Sequence, residues 1–88
     1  MISHTNSNFW KLYRKLPQNI RQIAKKQYKL FASDAYHASL HFKRVHSTRP
    51  IYSVRITKNY RAVGILEDNI IVWFWVGSHD EYDKLLKR

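Results

Sequence analysis

Phe9, Leu12, Tyr13 and Leu16 recur at the spacing of one helix face. Ser7 or Asn8, just ahead of them, can cap that helix. Pro17 interrupts the pattern, and as a first-turn residue it suits the start of a second helix. There Ile20, Ile23, Ala24, Leu30 and Phe31 form an apolar stripe, while Arg21, Gln22, Lys25, Lys26 and Lys29 lie mostly on the other side. Residues 33–40 have no such period and predict a loop.

From Phe42 the period shortens to two. Residues 42–46 predict a short strand. Residues 51–57 alternate, with Tyr52, Val54 and Ile56 on one face and Ser53, Arg55 and Thr57 on the other. Lys58–Asn59 predicts a two-residue hairpin turn, with Asn59 tolerating positive φ. Residues 60–67 form the next strand and Asp68–Asn69 a second tight turn. Residues 70–76 are apolar on both faces, as expected of a central strand covered at least partly on both sides. Trp73 and Trp75, two apart, are expected to share a face. Ser78 and Glu81 then form an S-x-x-E capping box that opens a last helix. The expected fold is α+β: two N-terminal helices packed on a four-stranded antiparallel sheet, followed by a short C-terminal helix.

The chain has 88 residues, and residues 1–88 are expected to form one domain, with residues 1–7 as a flexible polar arm. A domain of this size buries only roughly 60–65% of its unfolded surface. With no cysteine to cross-link it, the core must come from the apolar fraction, 44% of residues. The first eight residues lack the apolar core of a secretory signal, and the 70–76 run is too short to span a bilayer. A cytoplasmic location is expected.

Charge changes the picture most. The net charge is +10, and residues 1–49 carry ten Lys/Arg against one acid, Asp34. Such a chain repels itself and attracts polyanions. Nucleic acid is the first expected partner, through salt-dependent phosphate contacts, and an acidic protein the second. A plain basic globule is the bland alternative. Candidate chemistry collects near the two C-terminal turns. Arg55 lies on the strand face away from Tyr52, Val54 and Ile56. Arg61 follows the Lys58–Asn59 turn. His79 and Tyr82 are three apart on the last helix and share a face. His79 falls in the first helical turn, where unpaired N–H groups and the dipole disfavour imidazolium and attract phosphate. Cleavage of RNA through its own 2′-OH needs a base, cations for the phosphorane and an acid for the leaving oxygen. It needs no metal, and the histidines show no zinc spacing. Each of these residues also has a bland reading. His79 can be a surface residue, Tyr82 can pack on Leu86, and the arginines can be solvated.

The run from Ser53 to Gly64 (SVRITKNYRAVG), followed by Trp75 to Tyr82 (WVGSHDEY), resembles the RelE/ParE superfamily of bacterial type II toxins. Leu16–Pro17 between the helices and Ser39-Leu40-His41-Phe42-Lys43 fit as well. The resemblance covers roughly residues 9–86 and implies the family's fold, of barnase-like microbial-ribonuclease topology. It implies a toxin that cuts mRNA in the ribosomal A site without metal or other cofactor and is neutralised by a cognate antitoxin. It puts Arg61 on the scissile phosphate, His79 and Tyr82 at the acid–base positions, and Arg55 as a second phosphate ligand. Lys43, Arg44 and Lys58 would be RNA contacts. No membrane or small-molecule ligand is implied. The family's catalytic sets vary between branches, and none matches here residue by residue. DNA gyrase inhibition, as in the ParE branch, and non-catalytic binding of RNA or protein remain the alternatives.

Overall fold

A computed structural model describes residues 1–87; Arg88, the end of the expected single-domain span, lies outside the described residues. The chain runs through β1 (Ile2–Thr5), α1 (Ser7–Tyr13), α2 (Gln18–Ser33), a 3₁₀ turn (Ala38–Leu40), β2 (Lys43–Arg44), β3 (Ile51–Thr57), β4 (Tyr60–Glu67), β5 (Ile70–Ser78) and α3 (His79–Leu86). The strands form one mixed sheet in the order β1-β5-β4-β3-β2. Among the described residues, no helix is long and apolar enough to cross a membrane.

The α+β class and the β2–β5 meander agree with the sequence reading, but the sheet has a fifth strand. Residues 2–5, expected as a flexible arm, run parallel to β5 in register Ile2↔Ile70 to Thr5↔Trp73. Backbone bonds from Ile2 N to Asn69 O (2.9 Å) and from Asn6 N to Trp73 O (3.1 Å) hold the ends of β1. This resolves a tension in the sequence. As the last strand of a four-stranded meander, β5 would be an edge, yet its composition is that of an internal strand. With β1 beside it, β5 is internal.

Local chemistry sets the element ends. The α1 cap is Asn6, not Ser7 or Asn8: its Oδ1 accepts from Phe9 N at 3.0 Å. Pro17 occupies the N-cap of α2. The stretch expected as a loop buries Leu40 completely in its 3₁₀ turn. β2 keeps only two residues of the expected five. Asp68 and Asn69 both take positive φ (50° and 64°), the geometry a two-residue hairpin prefers. Asn59 does not. Its turn is instead held by a bond from Asn59 N to Thr57 Oγ1 (3.2 Å), next to a register shift between Arg55 and Thr57.

A second irregularity separates the two tryptophans. β4 and β5 pair Val63↔Trp75 and then Gly64↔Trp73, so Phe74 is passed over as an extra residue. Val63 and Gly64 face opposite ways, and so do Trp75 and Trp73. The shared face expected for them is therefore wrong. Trp73 joins the main core with Leu16, Ile20 and Phe31 from the helical side and Val54, Ile56, Ala62, Ile71 and Val76 from the sheet. Its ring meets Phe31 edge-on at 5.3 Å. Gly64 makes room for it: a Cβ there would lie 2.9 Å from Trp73 Cε3 and 3.0 Å from the Val72 carbonyl oxygen. Trp75 lies on the opposite face, against Tyr82 of α3. The sheet is thus covered by α1 and α2 on one face and by α3 on part of the other.

Candidate functional site

The second face of the sheet, beside α3, carries the polar chemistry. Arg55 and Arg61 are directly opposite each other on β3 and β4. Alternation on β3 had put Arg55 on this face, and the structure agrees. Like charges directly across a strand pair are unfavourable. Burial, and then the Arg55 charge, push the Arg61 guanidinium below its ordinary range; Tyr82 and Asp83 act the other way. A bound anion would relieve both costs at once. Arg61 Nη1 is committed to the β3–β4 turn, donating to the carbonyls of Thr57 (2.6 Å), Tyr60 (3.0 Å) and Lys58 (3.2 Å). Among the described residues, no hydrogen-bond partner is present for its Nε and Nη2 or for the Arg55 guanidinium.

The start of α3 is docked on that turn. His79 N donates to Asn59 O at 2.7 Å. Glu81 N donates to Ser78 Oγ (3.2 Å), and Glu81 Oε1 accepts from Ser78 N (3.2 Å), which completes the expected capping box. These bonds correct one expectation. Two of the first-turn amides already have partners, and Asp80 and Glu81 are the acidic residues of that turn. The helix end is not a vacant anion site; the positive charge comes from the strand arginines.

His79 is half exposed, with Nδ1 3.2 Å from Asp83 Oδ2. His79, Asp80 and Asp83 bring one possible ligand atom each within 4.8 Å of one another, on the surface. Tyr82 has a different setting. It is buried, at 7% exposure, and its O–H donates to Ser53 Oγ at 3.2 Å. Its ring lies 5.8 Å from the His79 ring and 6.4 Å from Trp75. The shared face of His79 and Tyr82 is therefore real, but the phenol points inward.

The supporting cations divide. Lys43 pairs with Ser53 and so projects from the arginine face, and Lys58 sits exposed in the turn that Arg61 grips. Arg44 pairs with Tyr52, whose side chain belongs to the opposite face. Its Nε donates to the carbonyls of His46 (3.0 Å) and Arg49 (3.2 Å). Arg44 braces the β2–β3 loop away from the cluster. Ser53 and Asp83 were not singled out in the sequence. The i,i+4 spacing of His79 and Asp83 was the available signal for one. Alternation gave Ser53 its face, but nothing local marked its bond to Tyr82.

The family model of the ParE-like toxin domain matches residues 18–84. No curated protein sequence matches significantly. Among solved structures, the RelB–RelE antitoxin–toxin complex from Methanococcus jannaschii contains a chain that matches with TM-score 0.76 at 18% identity, covering 93% of this chain and 96% of that one. YafQ from Escherichia coli strain BL21(DE3) matches with TM-score 0.73 at 10% identity, covering 91% and 94%. A chain of the YoeB–YefM complex from Staphylococcus aureus matches with TM-score 0.67 at 17% identity, covering 90% and 97%. At these identities the likeness is one of fold.

Proposed function

The chain belongs to the ParE-like toxin domain family, and on that premise we propose that it is the toxin of a toxin–antitoxin pair that cuts mRNA on the ribosome. The observation that carries this reading is the cross-strand Arg55–Arg61 pair, with α3 and its half-exposed His79 docked on the β3–β4 turn that Arg61 grips. Two guanidiniums with free donors suit a phosphodiester and the extra charge of its phosphorane. An imidazole suits proton transfer near neutral pH. In the proposed reaction the 2′-oxygen attacks phosphorus and the bond to the 5′-oxygen breaks. His79 takes the 2′-hydroxyl proton, and the 5′-oxygen receives one from water or from the imidazolium. Lys43 and Lys58 flank the arginines as electrostatic contacts to the strand. The matched antitoxin–toxin complexes support a cognate antitoxin as partner, and the charge of +10 suits an acidic binding segment. Action on mRNA implies a cytoplasmic site of action.

Tyr82 enters this scheme as a support for the His79 ring, not as the acid, because its O–H is engaged with Ser53. Tyr82→Phe is expected to cost about 1 kcal/mol of stability, one buried hydrogen bond. Cleavage should stay within an order of magnitude of wild type. Urea denaturation and a cleavage assay on the same preparation check this. A hundredfold loss of cleavage without unfolding would return the phenol to the chemistry.

Primer extension on a defined mRNA in a translating extract tests the whole reading. Cuts that require ribosomes and vanish in the Arg61→Ala/His79→Ala double variant are expected. Intact mRNA with unimpaired translation would overturn the reading, and impaired DNA supercoiling in cells that produce the protein would redirect it to gyrase.

A further inference from the structure

We propose that Asp83 is a positioning residue that sets the orientation and tautomer of the His79 imidazole, a role that rests on the ribonuclease reading above. Three contacts place His79, two of them on its ring. The His79 backbone N–H is tied to Asn59 O at 2.7 Å, which fixes the start of α3 on the β3–β4 turn. The ring packs at 5.8 Å on Tyr82, itself buried and bonded to Ser53. The third contact is Asp83 Oδ2, 3.2 Å from Nδ1. An ionised carboxylate only accepts hydrogen bonds, and a neutral imidazole has one N–H to give. Bonded to Asp83, that hydrogen sits on Nδ1. The lone pair is then on Nε2, the nitrogen left to accept the 2′-hydroxyl proton. Without the carboxylate, the ring can turn about its side-chain torsions or carry its hydrogen on Nε2, and either change removes the base.

The alternative role for Asp83 is as a competitor. It lies in the electrostatic field of Arg61 and could hold the place of an RNA phosphate. The two roles predict opposite kinetics. The pair is also half exposed on both sides, at 44% and 49%. Exposed i,i+4 pairs contribute little to folding, so removing one partner leaves a folded protein to assay.

The experiment compares wild type, Asp83→Ala and Asp83→Glu on programmed ribosomes, reading the maximal cleavage rate and the half-saturating ribosome concentration separately. Long-range ¹H–¹⁵N spectra of the His79 ring are recorded on the same proteins. Asp83→Ala is expected to lower the maximal rate about 10- to 100-fold, with half-saturation unchanged. Its neutral ring should lose the Nδ1–H tautomer, and Asp83→Glu should recover much of both. An unchanged rate with an unchanged tautomer overturns the proposal. So does tighter half-saturation at an unchanged rate, which would make Asp83 the competitor. No cleavage by wild type sinks the ribonuclease reading instead, and the ring spectra then decide the Asp83–His79 pairing alone.

Discussion

Arg61→Ala is expected to lower ribosome-dependent mRNA cleavage by on the order of 10²- to 10³-fold, the range seen when one preorganised donor to a developing oxyanion is removed. The expectation follows from how the guanidinium is divided. Nη1 is spent on three turn carbonyls, which fixes the plane of the group, and the remaining donors are left to a ligand. A fork held rigid by one arm is preorganised for a phosphate in a way a free lysine is not. Arg61→Lys should therefore recover little, although it keeps the charge. The same arrangement carries a structural penalty. Loss of the Nη1 bonds should weaken the β3–β4 turn by about 1 kcal/mol, since the group is only partly buried and solvent discounts its bonds. Urea denaturation separates the two effects, because such a loss cannot account for a hundredfold fall in rate in a protein that remains folded. Arg55→Ala is the matching control. It removes the like charge opposite Arg61 without touching the turn, so it should lower cleavage with stability unchanged or slightly raised. Full cleavage by a folded Arg61→Ala protein would remove the phosphate role from this residue.

What the sequence told of this site depends on the range over which each signal acts. Alternation along β3 is local, so Arg55 was correctly set opposite Val54 and Ile56. The capping box is local too, and Ser78 and Glu81 behave as their spacing predicts. The anion-binding helix end failed because its amide partner, Asn59 O, lies twenty residues back on a turn that only the folded sheet brings near. The inward setting of Tyr82 was not legible for the same reason. Its spacing from His79 was visible, but its bond to Ser53 spans 29 residues. The resemblance groups Arg44 with Lys43 and Lys58, but adjacent strand residues point to opposite faces, and Arg44 projects away from Lys43. β1 was missed because Ile2-Ser3-His4-Thr5 has a single strongly apolar residue. Pairing with β5, and not burial of its own side chains, makes it a strand.

The separation of the tryptophans leads to the largest stability difference expected in this protein. Trp73→Ala should cost about 3–5 kcal/mol, the usual range for a core aromatic. Small domains are stable by only about 5–15 kcal/mol, so a large share of molecules should be unfolded or close to it. Trp73 is 4% exposed and meets both Phe31 (5.3 Å) and Phe42 (6.5 Å), so its loss breaks an aromatic cluster that joins α2 to the sheet. Trp75→Ala, on the half-covered face under α3, should cost clearly less, about 1–2 kcal/mol. Were both rings on one face, as strict alternation suggests, the two costs would be similar. Trp73→Phe sharpens the test. Trp73 Nε1 is buried with no hydrogen-bond partner among the described residues, which is an expense of about 1–3 kcal/mol in the native state. Phenylalanine keeps most of the ring and removes the orphan donor, so it should cost far less than alanine. Urea midpoints of the three variants decide the matter. Equal losses for Trp73→Ala and Trp75→Ala would mean that Phe74 is not passed over and that β5 runs in unbroken register with β4. The face assignment of every residue on one side of Phe74 would then invert, and Gly77 and Ser78 would carry α3 to the helical side of the sheet, away from Arg55 and Arg61.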